Sequence, residues 1–358
     1  DHIGYDKVII QVADSLYIEM FRSILENEEI IVLSSLKDEP MISSTSSISI
    51  FKRDDVKYLN QNHFQNIIDY IPNLNFAGGT SRPRYFQIRG VGERSQYFGE
   101  GSPNFSISYT LDDIDLSGVG MIGGLNDIKQ VEVSKGPQST IFGNNAIGGS
   151  ILLKTNEPTD STAFLLHGEI GSDRLNNIAI TANFKIFKQN YLRLNIQKHN
   201  QHGFRKNKFL NKNNTNKKDE LFLKMKINLA PFKSLNVNNT FIFSEMENGY
   251  DAWAPDNNKE FHTYTDQPGE DSQKTLAFSS RAEFLNDSWS LLGIVSHAST
   301  DMVHSYDGDW GNNAFWEDTT TYGFDPYYYG YYSPYQFFDK TSRSRVSTTM
   351  ETRLILGN

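Results

Sequence analysis

The sequence predicts a compact α+β domain followed by antiparallel strands of a membrane-spanning β-barrel, about eight strands of a larger, incomplete barrel. Three observations carry this expectation. Hydrophobic periodicity changes near Thr159, the later segments have one oily and one wet side, and the links between those segments alternate in length. At 358 residues, with 38% apolar and 22% charged, the chain can bury the core that two or more folded units require. No run approaches the roughly 20 apolar residues of a spanning helix, so any membrane span must be built of strands.

Before Thr159, short apolar segments are separated by Gly-rich turns such as Gly118 to Gly124. The helix candidate there is Asn62 to Ile71, with Phe64, Ile67, Ile68 and Ile71 at i, i+3, i+4, i+7 and Pro72 as the stop. After Thr159, Ile178, Ile180, Ala182, Phe184 and Ile186 alternate with Ala179, Thr181, Asn183 and Lys185. Leu221, Leu223, Met225, Ile227 and Leu229 alternate likewise with Lys224, Lys226 and Asn228. Comparable runs at 192–197, 235–243, 275–284 and 346–356, and weaker ones at 163–171 and 288–298, bring the strand candidates to eight. Short links near 172–176, 230–234 and 285–287 alternate with long ones at 199–219, 245–273 and 299–343, as in outer-membrane barrels. The turn at Phe187 to Asn190 breaks the rule. Either 163–171 belongs to the exit from the first domain, or its outer loop is very short.

A closed barrel of eight strands is filled by its own side chains, whereas a lumen that holds a domain needs about 22. The barrel is therefore expected to be incomplete. The start at Asp1, the lack of an apolar leader in residues 1–27 and the stop just after Leu354-Ile355-Leu356 give the same expectation of a fragment.

The segment Tyr85 to Gly92, containing Ile88-Arg89-Gly90, is followed by Val131-Glu132-Val133-Ser134-Lys135-Gly136-Pro137, then by Ile141-Phe142-Gly143 and Ala146-Ile147-Gly148-Gly149-Ser150-Ile151. In order and spacing this resembles the plug domain of TonB-dependent receptors. Upstream, Glu28-Glu29-Ile30-Ile31-Val32-Leu33-Ser34 resembles the Ton box, the extended segment through which a TonB-type energy-coupling protein of the inner membrane pulls on the plug. Its β-branched residues suit addition as a strand to a partner's sheet edge, and Ser43 to Ser47 suit a flexible tether. The resemblance divides the chain into an extension (1–47), a plug (48–158) and a partial barrel (159–358). Gly136, Gly143, Gly148 and Gly149 serve turns and close approach, Pro137 fixes one of them, and Gly90 follows the ionisable Arg89. By the same resemblance Arg89, Glu132 and Lys135 help lock the plug to the barrel wall through charge pairs. The family more often has Arg where Lys135 stands.

Other patterns carry less. Asp113-Ile114-Asp115-Leu116-Ser117-Gly118 imitates a calcium loop, but Gly124 stands at its twelfth position, so a hairpin turn is expected instead. His297 and His304 read as scattered loop residues, and no metal site or cofactor is expected. The Lys/Asn run 207–218 reads as a solvated loop or as a contact for lipopolysaccharide phosphates. Trp310, Trp316 and Tyr327, Tyr328, Tyr329, Tyr331 and Tyr332 fit a ligand vestibule or an aromatic girdle equally well. Without cysteine there are no disulfides, thiolate metal sites or cysteine nucleophiles, and no catalytic constellation is evident elsewhere. A net charge of -9 argues against nucleic acid as a partner.

The expectation is a receptor of the bacterial outer membrane, in contact with lipid and lipopolysaccharide, that actively imports a small molecule. An iron-siderophore is the commonest cargo of the family. Oligosaccharide or cobalamin uptake and a non-transporting binding protein are the alternatives.

Overall fold

The computed structural model describes residues 30–34, 39–58, 63–77, 79–93, 105–119, 124–318 and 336–356. The plug unit comprises β1 (Ile31–Val32), β2 (Glu39–Pro40), β3 (Ile48–Lys52), α1 (Arg53–Tyr58), β4 (Leu74–Phe76), β5 (Phe86–Ile88) and β6 (Val91–Gly92). These are followed by β7 (Ile107–Leu111), β8 (Ile114–Asp115), β9 (Ile128–Lys135), α2 (Ser139–Phe142) and β10 (Gly149–Thr155).

Its main sheet runs β3-β9-β10-β7-β8, with β10 and β7 parallel and the other pairs antiparallel. The apolar residues of β9 and β10 are buried, which suits a sheet covered on both faces. Phe64, Phe86 and Tyr109 gather in the core with ring centroids 5.8–6.0 Å apart.

The expected helix over Asn62 to Ile71 forms as a 3-10 helix over Phe64–Tyr70 that buries Phe64, Ile67 and Ile68. His63 caps it by accepting the Gln65 N–H on Nδ1 at 3.2 Å. Ile71 is already extended, as a residue before proline prefers. Helix α1 was not legible in the periodicity, because Val56 is the one buried apolar residue among its described side chains. Its start is fixed by Asp55, whose carboxylate accepts the Lys52 N–H at 2.8 Å.

The wall comprises β11 (Ala163–Gly171), β12 (Leu175–Phe187), β13 (Asn190–Gln201), β14 (Lys206–Asn207), β15 (Lys218–Phe232), β16 (Leu235–Tyr250), β17 (His262–Thr263), β18 (Gly269–Leu285), β19 (Trp289–Asp307), α3 (Asn313–Glu317) and β20 (Phe338–Leu356). Eight of these strands form one antiparallel sheet in the order β11-β12-β13-β15-β16-β18-β19-β20. The sheet does not close on itself. The eight expected strands all form, and β11 pairs with β12 from Ala163↔Asn183 to Gly171↔Leu175. Strand 163–171 thus belongs to the wall, and the link at 172–174 is a very short loop. The remaining links are short at 188–189, 233–234 and 286–288 and long at 202–217, 251–268 and 308–337. Strands β14 and β17 pair in parallel and tie the first two long loops together.

The wall has its wet side inward, against the plug. Thr275 is fully buried while its neighbour Leu276 is 67% exposed, and Lys224 and Lys226 are buried while Ile178, Val295 and Met350 face outward. An outward apolar face over polar inward residues is the pattern of a transmembrane barrel. Phe187, Phe232, Phe284 and Trp289 lie at the short-turn ends, with Phe284 stacked on Trp289 at 5.5 Å, where an interfacial girdle belongs. The 19 residues of β19 extend for about 60 Å, far more than an apolar band of about 25 Å requires. The long-loop ends of the strands therefore reach well beyond the length of such a band.

Candidate functional site

The plug is fastened to the wall by buried charge pairs that join positions far apart in sequence. Arg82 reaches Glu220 with two prongs, Nε to Oε1 at 2.7 Å and Nη2 to Oε2 at 2.8 Å. Beside it Arg84 Nη2 lies 2.5 Å from Asp271 Oδ1, while Asp271 Oδ2 accepts the Ser81 N–H at 2.7 Å. His304 Nδ1 approaches the same carboxylate at 3.4 Å. Deeper in, Asp127 of the plug accepts from Arg193 at 2.6 Å and from Lys224 at 2.9 Å, and Lys226 Nζ lies 3.0 Å from both Asp112 and Glu157.

At Asp112 and Asp271 the partners outweigh burial. Burial alone would raise Asp112, but the charges of Lys226, Lys154 and Lys224 and the Thr155 hydroxyl hold it well below the usual range. At the long-loop end of its strand, Asp271 is likewise raised by burial but brought down to about 2 by Arg84, His304 and the Ser81 hydroxyl.

The motif residues frame the sheet. Arg89 and Gly90 form the β5–β6 turn with φ of 53° and 80°. Glu132 and Lys135 lie on β9, Gly136 and Pro137 lead from it to α2, Gly143 closes α2, and Gly148 and Gly149 open β10. At Gly149 φ is 152°, and a Cβ would stand 2.5 Å from the Ser134 carbonyl oxygen, so only glycine fits there.

Among the described residues no ion pair joins Arg89, Glu132 or Lys135 to the eight strands. The charge pairs expected of those three are made to this wall by Arg82, Arg84, Asp112, Asp113, Asp115 and Asp127 instead. Arg89 and Lys135 are near one another, and burial followed by the charge of Arg89 lowers the pKa of Lys135. The sequence reading missed these anchors. A legible sign was there, since Lys224 and Lys226 occupy the wet face of an oily strand.

Glu132 is buried, and its carboxylate faces the N-terminal segment. Oε1 accepts the Leu33 N–H at 2.7 Å and Oε2 the Ser34 N–H at 2.9 Å. Ile30 to Ser34 of the Ton box candidate thus lie against β9, with Val32 and Ser34 buried. Glu28 and Glu29 lie outside the described residues.

In the aromatic candidate, Tyr327, Tyr328, Tyr329, Tyr331 and Tyr332 also lie outside the described residues. Trp310 is half-exposed and stacks at 5.9 Å on Trp253, a residue the sequence reading did not single out. Trp316 sits in α3 against Phe315. His297 and His304 fall on opposite faces of β19, and no metal-holding cluster occurs among the described residues. The calcium-like run is a hairpin turn in which Asp115 accepts from Ser117 N and Oγ at 2.9 and 2.6 Å.

A plug seated on the polar face of an outwardly oily antiparallel sheet is the architecture of a plugged β-barrel. Residues 40–150 match the family model of the TonB-dependent Receptor Plug Domain, so the chain carries a plug domain of that type set against part of a barrel-like sheet.

The ferrioxamine B receptor of Salmonella typhimurium (strain SL1344) is 26% identical over 163 residues, covering 40% of this chain and 20% of that protein. The chain thus matches about a fifth of the curated relative's length. The ferric yersiniabactin uptake receptor of Yersinia pestis shares the fold with a TM-score of 0.64 and 16% identity, over 73% of this chain and 42% of that one. The open form of the ferric-catecholate import receptor of E. coli K12 gives 0.64 and 18%, over 88% and 47%. The fold is the one these two receptors share.

Proposed function

We propose that the chain is the plug and part of the barrel of an outer-membrane receptor that takes up a ferric siderophore, driven by a TonB-type protein of the inner membrane. The observation that carries this reading is the plug's attachment to the wall's polar face through buried ion pairs, in a family whose similar members are named for ferrioxamine, yersiniabactin and catecholate uptake.

In this reading residues 1–47 form the extension that carries the Ton box, 48–158 the plug and 159–358 the wall. The iron chelate meets the long-loop end, where Trp253 and Trp310 offer a half-exposed pair of rings suited to a planar ligand. Force then enters through Glu28 to Ser34 and rearranges a plug held by discrete charge pairs.

Deleting residues 28–34 from the receptor gene should abolish energy-dependent uptake while surface binding persists; unchanged uptake overturns the Ton box assignment. A growth screen on ferric chelates, cobalamin and oligosaccharides identifies the cargo, and growth on iron chelates alone is the expected result.

A further inference from the structure

Three carboxylates meet at the long-loop end. The Gly311 peptide joins two of them: its N–H donates to Asp309 Oδ1 at 2.9 Å, and its carbonyl accepts the Asp266 N–H at 3.1 Å. Asp307 is the third, and burial followed by the charges of Asp309 and Asp266 raises its carboxyl to about 7. Its side chain is only 5% exposed, and among the described residues its Oδ2 has no hydrogen-bond partner. Among the described residues no ion pair reaches any of the three. Such a cluster costs free energy unless something brings positive charge to it.

The adjoining rings suit the same charge. Trp310 follows Asp309 directly and is held at a φ of 62°, a left-handed conformation that a bulky residue adopts only under constraint. Asp309 supplies the constraint, since its Oδ1 and Oδ2 accept the Gly311 and Phe337 N–H groups at 2.9 Å each. In that pose Trp310 stacks on Trp253 at 5.9 Å, with both rings half-exposed, and an indole face attracts a cation. A bare metal ion does not fit, because among the described residues no carboxylates and imidazoles are grouped to hold one. A buried carboxylate oxygen without a partner calls for an N–H donor, which a quaternary ammonium lacks. A guanidinium needs a two-pronged acceptor, and both Asp309 oxygens are taken, whereas a primary ammonium can give a single N–H to Asp307.

We propose that Asp266, Asp307 and Asp309, with the Trp253–Trp310 pair, seat a primary ammonium group, so that the chelate taken at the long-loop end is one that carries a free amine. The proposal rests on the uptake reading and names the class of chelate within it. Asp266 is half-buried and is the member that solvent reaches most, so the ammonium enters past it towards Asp307 Oδ2. A hydrogen bond between charged groups shifts an equilibrium by roughly tenfold or more, which sets the size of the expected preference.

Two ferric trihydroxamates that differ only in whether a terminal amine is free or acetylated test this on whole cells displaying the receptor. The free-amine form should bind at least about tenfold more tightly. Asp307→Asn and Asp266→Asn should each remove most of that preference by weakening the free-amine complex, while binding of the acetylated form and the amount of receptor at the surface stay constant. Equal binding of the two forms by the unaltered receptor overturns the seat and leaves the uptake reading intact, as does a preference that survives in both variants. Equal weakening of both complexes also overturns it, since the carboxylates would then serve only to hold the loops. Binding that needs added calcium and ignores the acetyl group assigns the carboxylates to a metal and overturns it too. So does binding of neither form by a receptor that supports growth on other ferric chelates. Failure to bind or grow on any ferric chelate overturns the uptake reading and the seat with it.

Discussion

Arg82 of the plug and Glu220 of β15 face each other across the interface with both prongs of the guanidinium engaged, and the Asn248 amide donates to the same carboxylate at 2.9 Å. Removing one partner of such a pair leaves a buried charge without compensation. Arg82→Ala should therefore destabilise the plug–wall interface by about 3–5 kcal/mol. Arg82→Lys should recover only part of the loss, because an ammonium cannot form the two-pronged contact. Denaturant midpoints of the three proteins in detergent check this order.

Asp127 holds Arg193 and Lys224 together, so it is the costlier of these residues to lose. Asp127→Asn should leave two buried cations facing each other and destabilise more than Lys224→Met, in which Arg193 still compensates Asp127. Thermal unfolding of both variants decides, and equal losses would show that Lys224 carries the contact alone.

Asp307 ends β19 at the long-loop end, beyond the length of the apolar band. Burial, followed by the charges of Asp309 and Asp266, raises its carboxyl to about 7. The folded carboxyl lies above its unfolded value of about 4, so the folded state binds the extra proton between those two values. Loop stability should accordingly fall as pH rises from about 4 to about 7 and level off above that. Asp307→Asn should weaken the dependence without abolishing it, since burial and Asp309 also raise the Asp266 carboxyl, as measured by proteolysis of the long loops at pH 5 and pH 8.

Gly149 meets the Ser134 carbonyl oxygen where β10 begins, at a φ open to glycine alone. Gly149→Ala should cost on the order of 1–3 kcal/mol and lower the melting temperature, whereas Gly168→Ala, on an edge strand with open space around it, should change little.

The Trp253–Trp310 pair separates the two readings of the aromatic residues. Trp253→Ala should weaken binding of ferric chelate to whole cells severalfold while the amount inserted in the membrane stays constant. A loss of insertion with normal binding would assign these rings to the girdle.

The strands were legible because period-two alternation survives wherever one face is oily, as in Leu221 to Leu229. Their lengths were not legible. Expected loops at 245–273 and 299–343 shrink to 251–268 and 308–337, since strand ends beyond the apolar band, such as Glu245 to Tyr250, carry polar residues on both faces. The glycines of the motif mark real turns. The anchors Arg82, Asp112 and Asp127 escaped notice because each finds its partner more than 65 positions away, and local spacing carries no trace of such a pairing.

Strand β3 lies at the margin of the plug's main sheet and pairs only with β9 among the described strands, whereas β9, β10 and β7 each have two neighbours. Traction arriving through Ile30 would load the β1–β9 contacts, then the five residue pairs from Ile48↔Ser134 to Lys52↔Gln130, before reaching any strand with two neighbours. A pull from that side would therefore load the sheet's margin before its interior strands.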